Sequence, residues 1–230
     1  MPLTGMLRYF NPRTYSYEGD GAHFTPESDD LPWSLKPERK ITIEEVKYIL
    51  SSHFQGTPYD CYGKENPKRG IYRSIGVNRT AFLGLIQIRP YLPKELQAIE
   101  WLAFGSNVFN AMPPFYASAT KVPAYFGNTT LKVNTGNFYW TSRLLGALAD
   151  PHFGTTAIQI ERYQDAVANK SHELLNSYDA QFLKEHDVAI LDKANAEIAA
   201  MTEKETDKAL DKVLFESSSR MKNGYARSDN

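Results

Sequence analysis

The stretch TPYDCYGKEN, residues 57–66, holds the single cysteine of this chain. A thiolate is a strong nucleophile, but a cysteine ionises near neutral pH only beside a base or a positive field. The sequence neighbours of Cys61 are Asp60 and two tyrosines, Tyr59 and Tyr62. These keep the proton on sulfur, and nothing in the sequence brings His53 to it, so Cys61 reads as a bystander. The five histidines (His23, His53, His152, His172 and His186) never recur at a His-x3-His spacing, and no second cysteine could join them. No metal site is expected on that pattern. There is no Gly-x-Gly-x-x-Gly turn, Walker loop or Gly-x-Ser-x-Gly elbow, and no cofactor is expected. Acidic side chains on the helical segments read as solvent-side charges.

Three zones would have to position any chemistry. Residues 1–70 are rich in Pro, Gly, Asp and Tyr and read as extended loop with one helix. In that helix Thr42 caps IEEVKYILSSHF, Glu45 completes a capping box, and Ile43, Val46, Ile49 and Leu50 recur at helical spacing. Residues 71–133 change period. TAFLGLIQIRP (80–90) is apolar on both of its alternating faces, as a strand covered on both sides would be, and AIEWLAFGS (98–106) pairs with it as a hairpin across a turn holding Pro90 and Pro93. Residues 134–222 are helical. FYWTSRLLGALAD carries a stripe of Phe138, Thr141, Leu144, Leu145 and Leu148 behind the candidate caps Asn134, Thr135 and Gly136. Two longer amphipathic segments follow and read as a solvated helical hairpin, and the tail 223–230 is expected to fray. The class is α+β, and 1–230 reads as one domain.

Bulk composition excludes several roles. With 26 basic and 27 acidic side chains the net charge is -1, and the basic residues are scattered. A nucleic-acid binder needs them clustered, so none is expected as a partner. No apolar run reaches the roughly 18 residues of a membrane span, and MPLTGMLRYF lacks a signal-peptide core. A cytoplasmic protein without a membrane partner is expected, and one cysteine cannot form an internal disulfide.

Several long strings occur in order: LPWSLKPERKITIEEVKYILSSHFQGTPYD (31–60), YRSIGVNRTAFLGLIQIRP (72–90), WLAFGSNVFNAMPPFYA (101–117), NFYWTSRLLGALADPHF (137–153), IERYQDAV (160–167) and ETDKALDKVLFE (205–216). Together they resemble the dipeptidase A family of cysteine dipeptidases, relatives of the secernins, and specifically the C-terminal half of its members. The resemblance implies the C-terminal portion of a four-layer αββα N-terminal-nucleophile hydrolase. In such enzymes a chain-terminal cysteine attacks the peptide carbonyl and its own α-amine, with a pKa of about 8, serves as base. Here the chain begins Met1-Pro2-Leu3, and Cys61 opens the loop-like CYGKENPKRG where the family nucleophile opens a central strand. The nucleophile is therefore expected outside this sequence.

The resemblance leaves supporting roles open. Asn78 and Arg79, at the start of the strand, are candidates for assisting catalysis at a cleft, although a strand-end hydrogen bond and a surface charge explain them equally well. Asn107 and Asn110, in GSNVFNAM, are candidates for substrate contact, and turn formation accounts for them as readily. For Trp101, Phe109, Phe115, Tyr116 and Trp140, core packing is the expectation. The implied partners are a dipeptide substrate, the N-terminal half of the same enzyme and a second copy of this chain. An apolar sheet face should lie open where that half would pack. The competing function is a non-catalytic chain acting as a structural or partner-binding module.

Overall fold

Periodicity and turn chemistry account for most of the elements. In the computed structural model, residues 2–16, 23–25, 27–63 and 65–221 are described, with side chains from residue 6 onward; the expected fraying of 223–230 lies outside them. Two compact units result, Met1–Val77 and Asn78–Asn230. No described helix is long and apolar enough to cross a membrane.

The first unit holds α1 (Pro2–Phe10) and α2 (Ile43–Leu50). The expected capping box is formed: the Glu45 N–H donates to Thr42 Oγ1 at 3.2 Å, and the Thr42 N–H donates to Glu45 Oε2 at 2.9 Å. Sequence reading leaves residues 2–10 as loop, yet they are helical. Proline suits the first helical position because its missing N–H is unpaired there in any helix, and Met6, Leu7 and Phe10 recur at helical spacing. Asn11 ends the helix, its backbone and side-chain N–H groups both donating to the Leu7 carbonyl. Tyr9 meets the ring of Tyr48 at 5.5 Å, and the guanidinium of Arg39 lies over Tyr9 while pairing with Glu45.

The second unit is a three-stranded antiparallel sheet backed by helices. Its strands β1 (Phe82–Ile88), β2 (Ala98–Phe104) and β3 (Pro114–Tyr116) lie side by side in that order. The hairpin is the expected one, with Phe82 opposite Phe104 and Ile88 opposite Ala98. After β3 come a short α3 (Ala124–Gly127), α4 (Phe138–Ala149), α5 (Phe153–Glu185) and α6 (Ala189–Ser218). The cap of α4 is Asn137, one residue beyond the expected trio, with its Oδ1 accepting from the Trp140 N–H at 2.9 Å. The hairpin of α5 and α6 turns at His186, whose left-handed backbone (φ 52°) stops α5. It is less solvated than its charge suggests. Ile160, Tyr163, Val167, Phe182, Leu191, Ile198 and Val213 are all buried, and Tyr163 OH lies 2.9 Å from Thr206 Oγ1 between the two helices.

Polar contacts fasten sheet to helices. Arg89, just past β1, is buried and donates to both oxygens of Asp179 on α5, at 2.5 and 3.1 Å, and twice to the Leu96 carbonyl. Tyr116 OH donates to Asp179 Oδ1 at 2.8 Å, and burial with the nearby carboxylate raises that phenol well above its ordinary pKa. Asn195 on α6 accepts from the Tyr116 N–H at 2.8 Å and donates to the Tyr116 carbonyl at 3.2 Å.

The expectation that both faces of 80–90 are covered does not hold among the described residues. Ile99, Trp101 and Tyr116 are buried on one face. On the other, Phe82 (51 %), Ile86 (69 %) and Ile88 (62 %) are exposed. Opposite-facing alternation is intrinsic to a strand, so an apolar pattern on both faces requires a cover on each. The described residues supply one. This open face is the apolar surface that the sequence reading anticipates.

Two outcomes follow from these contacts. Asp179→Ala strands a buried guanidinium and should lower unfolding stability by about 3–5 kcal/mol in a urea titration. Ile86→Lys with Ile88→Lys should reduce self-association on size exclusion and dye binding to apolar surface, with little change in stability.

Candidate functional site

The four candidate residues of the second unit gather at one end of its sheet. Strand β1 begins where β2 ends: the Gly105 N–H donates to the Ala81 carbonyl at 3.1 Å, beyond the Phe82 to Phe104 pair. Asn78 and Arg79 form an exposed turn just before β1. They precede the strand by a few residues instead of opening it. Asn107 and Asn110 are buried in the loop just after β2. Gly105 adopts φ 75° at this reversal, a conformation that costs an L side chain strain.

Asn110 does the work of a turn clamp. Its Nδ2 donates to the carbonyls of Phe104 at 2.9 Å and Gly105 at 3.2 Å and lies 3.4 Å from Asn107 Oδ1. Gln164 on α5 donates to the Val108 and Asn110 carbonyls, both at 3.0 Å, and holds the loop from behind. The Asn110 amide hydrogens are thus engaged by the chain itself, while its Oδ1 is buried without a hydrogen-bond partner among the described residues. The exposed pair offers a guanidinium and an amide to solvent at the same sheet end. Trp101, Phe109 and Tyr116 are core residues as expected, whereas Phe115 and Trp140 are only half-buried.

The first unit contains a cluster that sequence spacing does not reveal. His53, Asp60 and Cys61 each contribute one ligand-type atom, and these atoms lie within 4.8 Å of one another. His53 Nδ1 is 2.8 Å from Asp60 Oδ1, and the two side chains are only 11 % and 18 % exposed. Local folding brings them together. Phe54 takes a left-handed backbone (φ 67°) and Gly56 another (φ 71°), which turns the chain sharply after His53. The Thr57 N–H and hydroxyl both donate to the Phe54 carbonyl, and the Cys61 N–H returns to the His53 carbonyl at 3.4 Å. Asp60 Oδ1 also accepts from the Tyr62 N–H at 2.9 Å, and the Tyr62 ring meets the His53 ring edge-on at 5.1 Å. The signal available in sequence was a histidine seven residues before Asp-Cys across Gly-Thr-Pro. That spacing matches no helical or strand period, because an irregular turn closes it.

Residues 5–166 match the family model described as Peptidase family C69. The chain belongs to peptidase family C69. Among curated relatives it is similar to the "Dipeptidase" of Bifidobacterium longum (strain NCC 2705), at 38 % identity over 267 aligned positions, covering 97 % of this chain and 50 % of that one. The "Probable dipeptidase A" of Streptococcus pyogenes serotype M3 is 43 % identical over 206 positions, covering 89 % of this chain and 44 % of that protein. The "Probable dipeptidase B" of Lactococcus lactis subsp. lactis is 34 % identical, covering 93 % and 46 % respectively. This C69 chain therefore spans about half the length of the curated relatives it matches. The matched region takes in all four candidate residues and the His53, Asp60 and Cys61 cluster.

A stability comparison separates the two kinds of asparagine and the exposed arginine. Asn110→Ala should destabilise by about 1–3 kcal/mol, because it leaves turn carbonyls buried without donors. Asn78→Ala and Arg79→Ala should stay within about 0.5 kcal/mol, as exposed positions do. Parallel urea titrations read the difference directly.

Proposed function

We propose that this C69 chain is the C-terminal portion of a cysteine dipeptidase, working with a thiol that a preceding portion supplies. The observation that carries the reading is the family match over residues 5–166, together with similarity to relatives named as dipeptidases and about twice as long. The open apolar face of β1 supports it, since a second sheet laid on Phe82, Ile86 and Ile88 would complete an αββα sandwich. In this reading the cysteine opens the preceding portion. Its α-amine takes the thiol proton, the sulfur attacks the dipeptide carbonyl, and the amine returns the proton to the departing amino acid; water then hydrolyses the thioester. The present chain contributes one sheet, its helical backing and Arg79, whose charge would stabilise the tetrahedral oxyanion. Asn78 sits beside Arg79 in the same role. Asn107 and Asn110 would shape the substrate-side loop.

The purified 230-residue chain is expected to leave unblocked dipeptides intact. Co-expression with the half of the Bifidobacterium longum relative that the alignment leaves uncovered should restore turnover, and Arg79→Ala in that assembly should reduce it by about a hundredfold. Turnover by the chain alone that disappears in Cys61→Ala would overturn the proposal and make Cys61 the nucleophile. Failure of any assembly to hydrolyse dipeptides would favour a non-catalytic binding role.

A further inference from the structure

We propose that His53, Asp60 and Cys61 form a binding site for a zinc-like divalent transition-metal ion, separate from the chemistry of dipeptide hydrolysis. The three ligand atoms already converge within 4.8 Å. Tetrahedral zinc, with bonds of about 2.0–2.3 Å, places its ligand atoms roughly 3.3–3.8 Å apart, so closure takes side-chain shifts on the order of an ångström. The backbone that carries the ligands is tied into place. Thr57 donates to the Phe54 carbonyl and the Cys61 N–H to the His53 carbonyl across the turn, and Gly76 donates to the Ser52 carbonyl beside it at 2.9 Å. Little of the loop has to be ordered when the ion arrives, and the entropy of assembling three ligands falls on folding instead of on binding.

The donor set selects the ion. A thiolate, an imidazole nitrogen and a carboxylate oxygen suit zinc and its borderline neighbours, whereas calcium and magnesium take oxygen ligands. Charge balances as well: one thiolate and one carboxylate neutralise a dication, which matters because His53 and Asp60 are largely withdrawn from water. The protons are accounted for. Binding forms the metal–sulfur bond and releases the Cys61 thiol proton to solvent; an imidazole that ligates the ion carries its proton on the ring nitrogen that does not bind. The ion replaces the present contact between His53 Nδ1 and Asp60 Oδ1. Three protein ligands leave one tetrahedral position for water or an external ligand.

The histidine spacing rule excludes this site only if every ligand comes from regular secondary structure. Here a left-handed turn substitutes for the helical repeat, and the ligands are one histidine and an adjacent Asp-Cys pair.

The test titrates the full 230-residue chain with Zn2+ in a calorimeter and, in parallel, with Co2+ as a spectroscopic stand-in. One equivalent of Zn2+ should bind with release of about one proton, and Co2+ should give a near-ultraviolet thiolate-to-metal charge-transfer band. Zn2+ should also slow alkylation of Cys61 in the unaltered chain, a readout that needs no variant. His53→Ala and Cys61→Ser should each weaken Zn2+ binding by at least about a hundredfold, since even outer-shell losses cost about 10–100-fold. Circular dichroism of each variant confirms that it folds. Absence of stoichiometric binding, a cobalt complex with no charge-transfer band, or Zn2+ affinity unchanged in both variants overturns the site. These readouts are independent of dipeptide turnover.

Discussion

The second unit depends on a buried charge that must be matched. Arg89 lies at the end of β1, where its guanidinium is withdrawn from water, and Asp179 on α5 is the group that neutralises it. Because Tyr116 donates to the same carboxylate, a single side chain ties β1, β3 and the long helix together. The five donors of a guanidinium make this a directional clamp: Leu96 takes two of the contacts and Asp179 the others. Such a pair adds modest net stability compared with an apolar filling, but removing either partner leaves the other charge buried and uncompensated.

Sequence pattern went far where structure is local. The capping box at Thr42, the hairpin of β1 and β2, and the two long helices follow from spacing that each segment carries alone. What stayed hidden depends on distant partners. Arg89 and Asp179 are ninety residues apart, and nothing in the local pattern around either announces the other. Helix α1 was obscured because a Pro and a Gly stand in its first turn, where proline is tolerated and local signals read as loop. The apolar alternation of 80–90 was legible, but whether its second face is covered is decided by whatever lies against the strand.

The candidate site shows the same division. Asn107 and Asn110 could be selected by residue type, but only the fold shows Asn110 holding the carbonyls of Phe104 and Gly105. Cys61 has the opposite history. Its sequence neighbours suggested an inert thiol, whereas the turn at Phe54 and Gly56 supplies an imidazole from eight positions upstream. The match to peptidase family C69 spans both the sheet end and the cluster in the first unit.

The contact between Asn195 and β3 gives the sheet a direction. The ladder to β2 runs through Pro113 and Ala117, so the N–H and C=O of Tyr116 point outward, and the Asn195 amide occupies both as an added strand would. Helix α6 therefore terminates the sheet on that flank with one side chain. On the opposite flank β1 carries no further strand among the described residues, so its margin is the one an added strand would find unoccupied by Asn195.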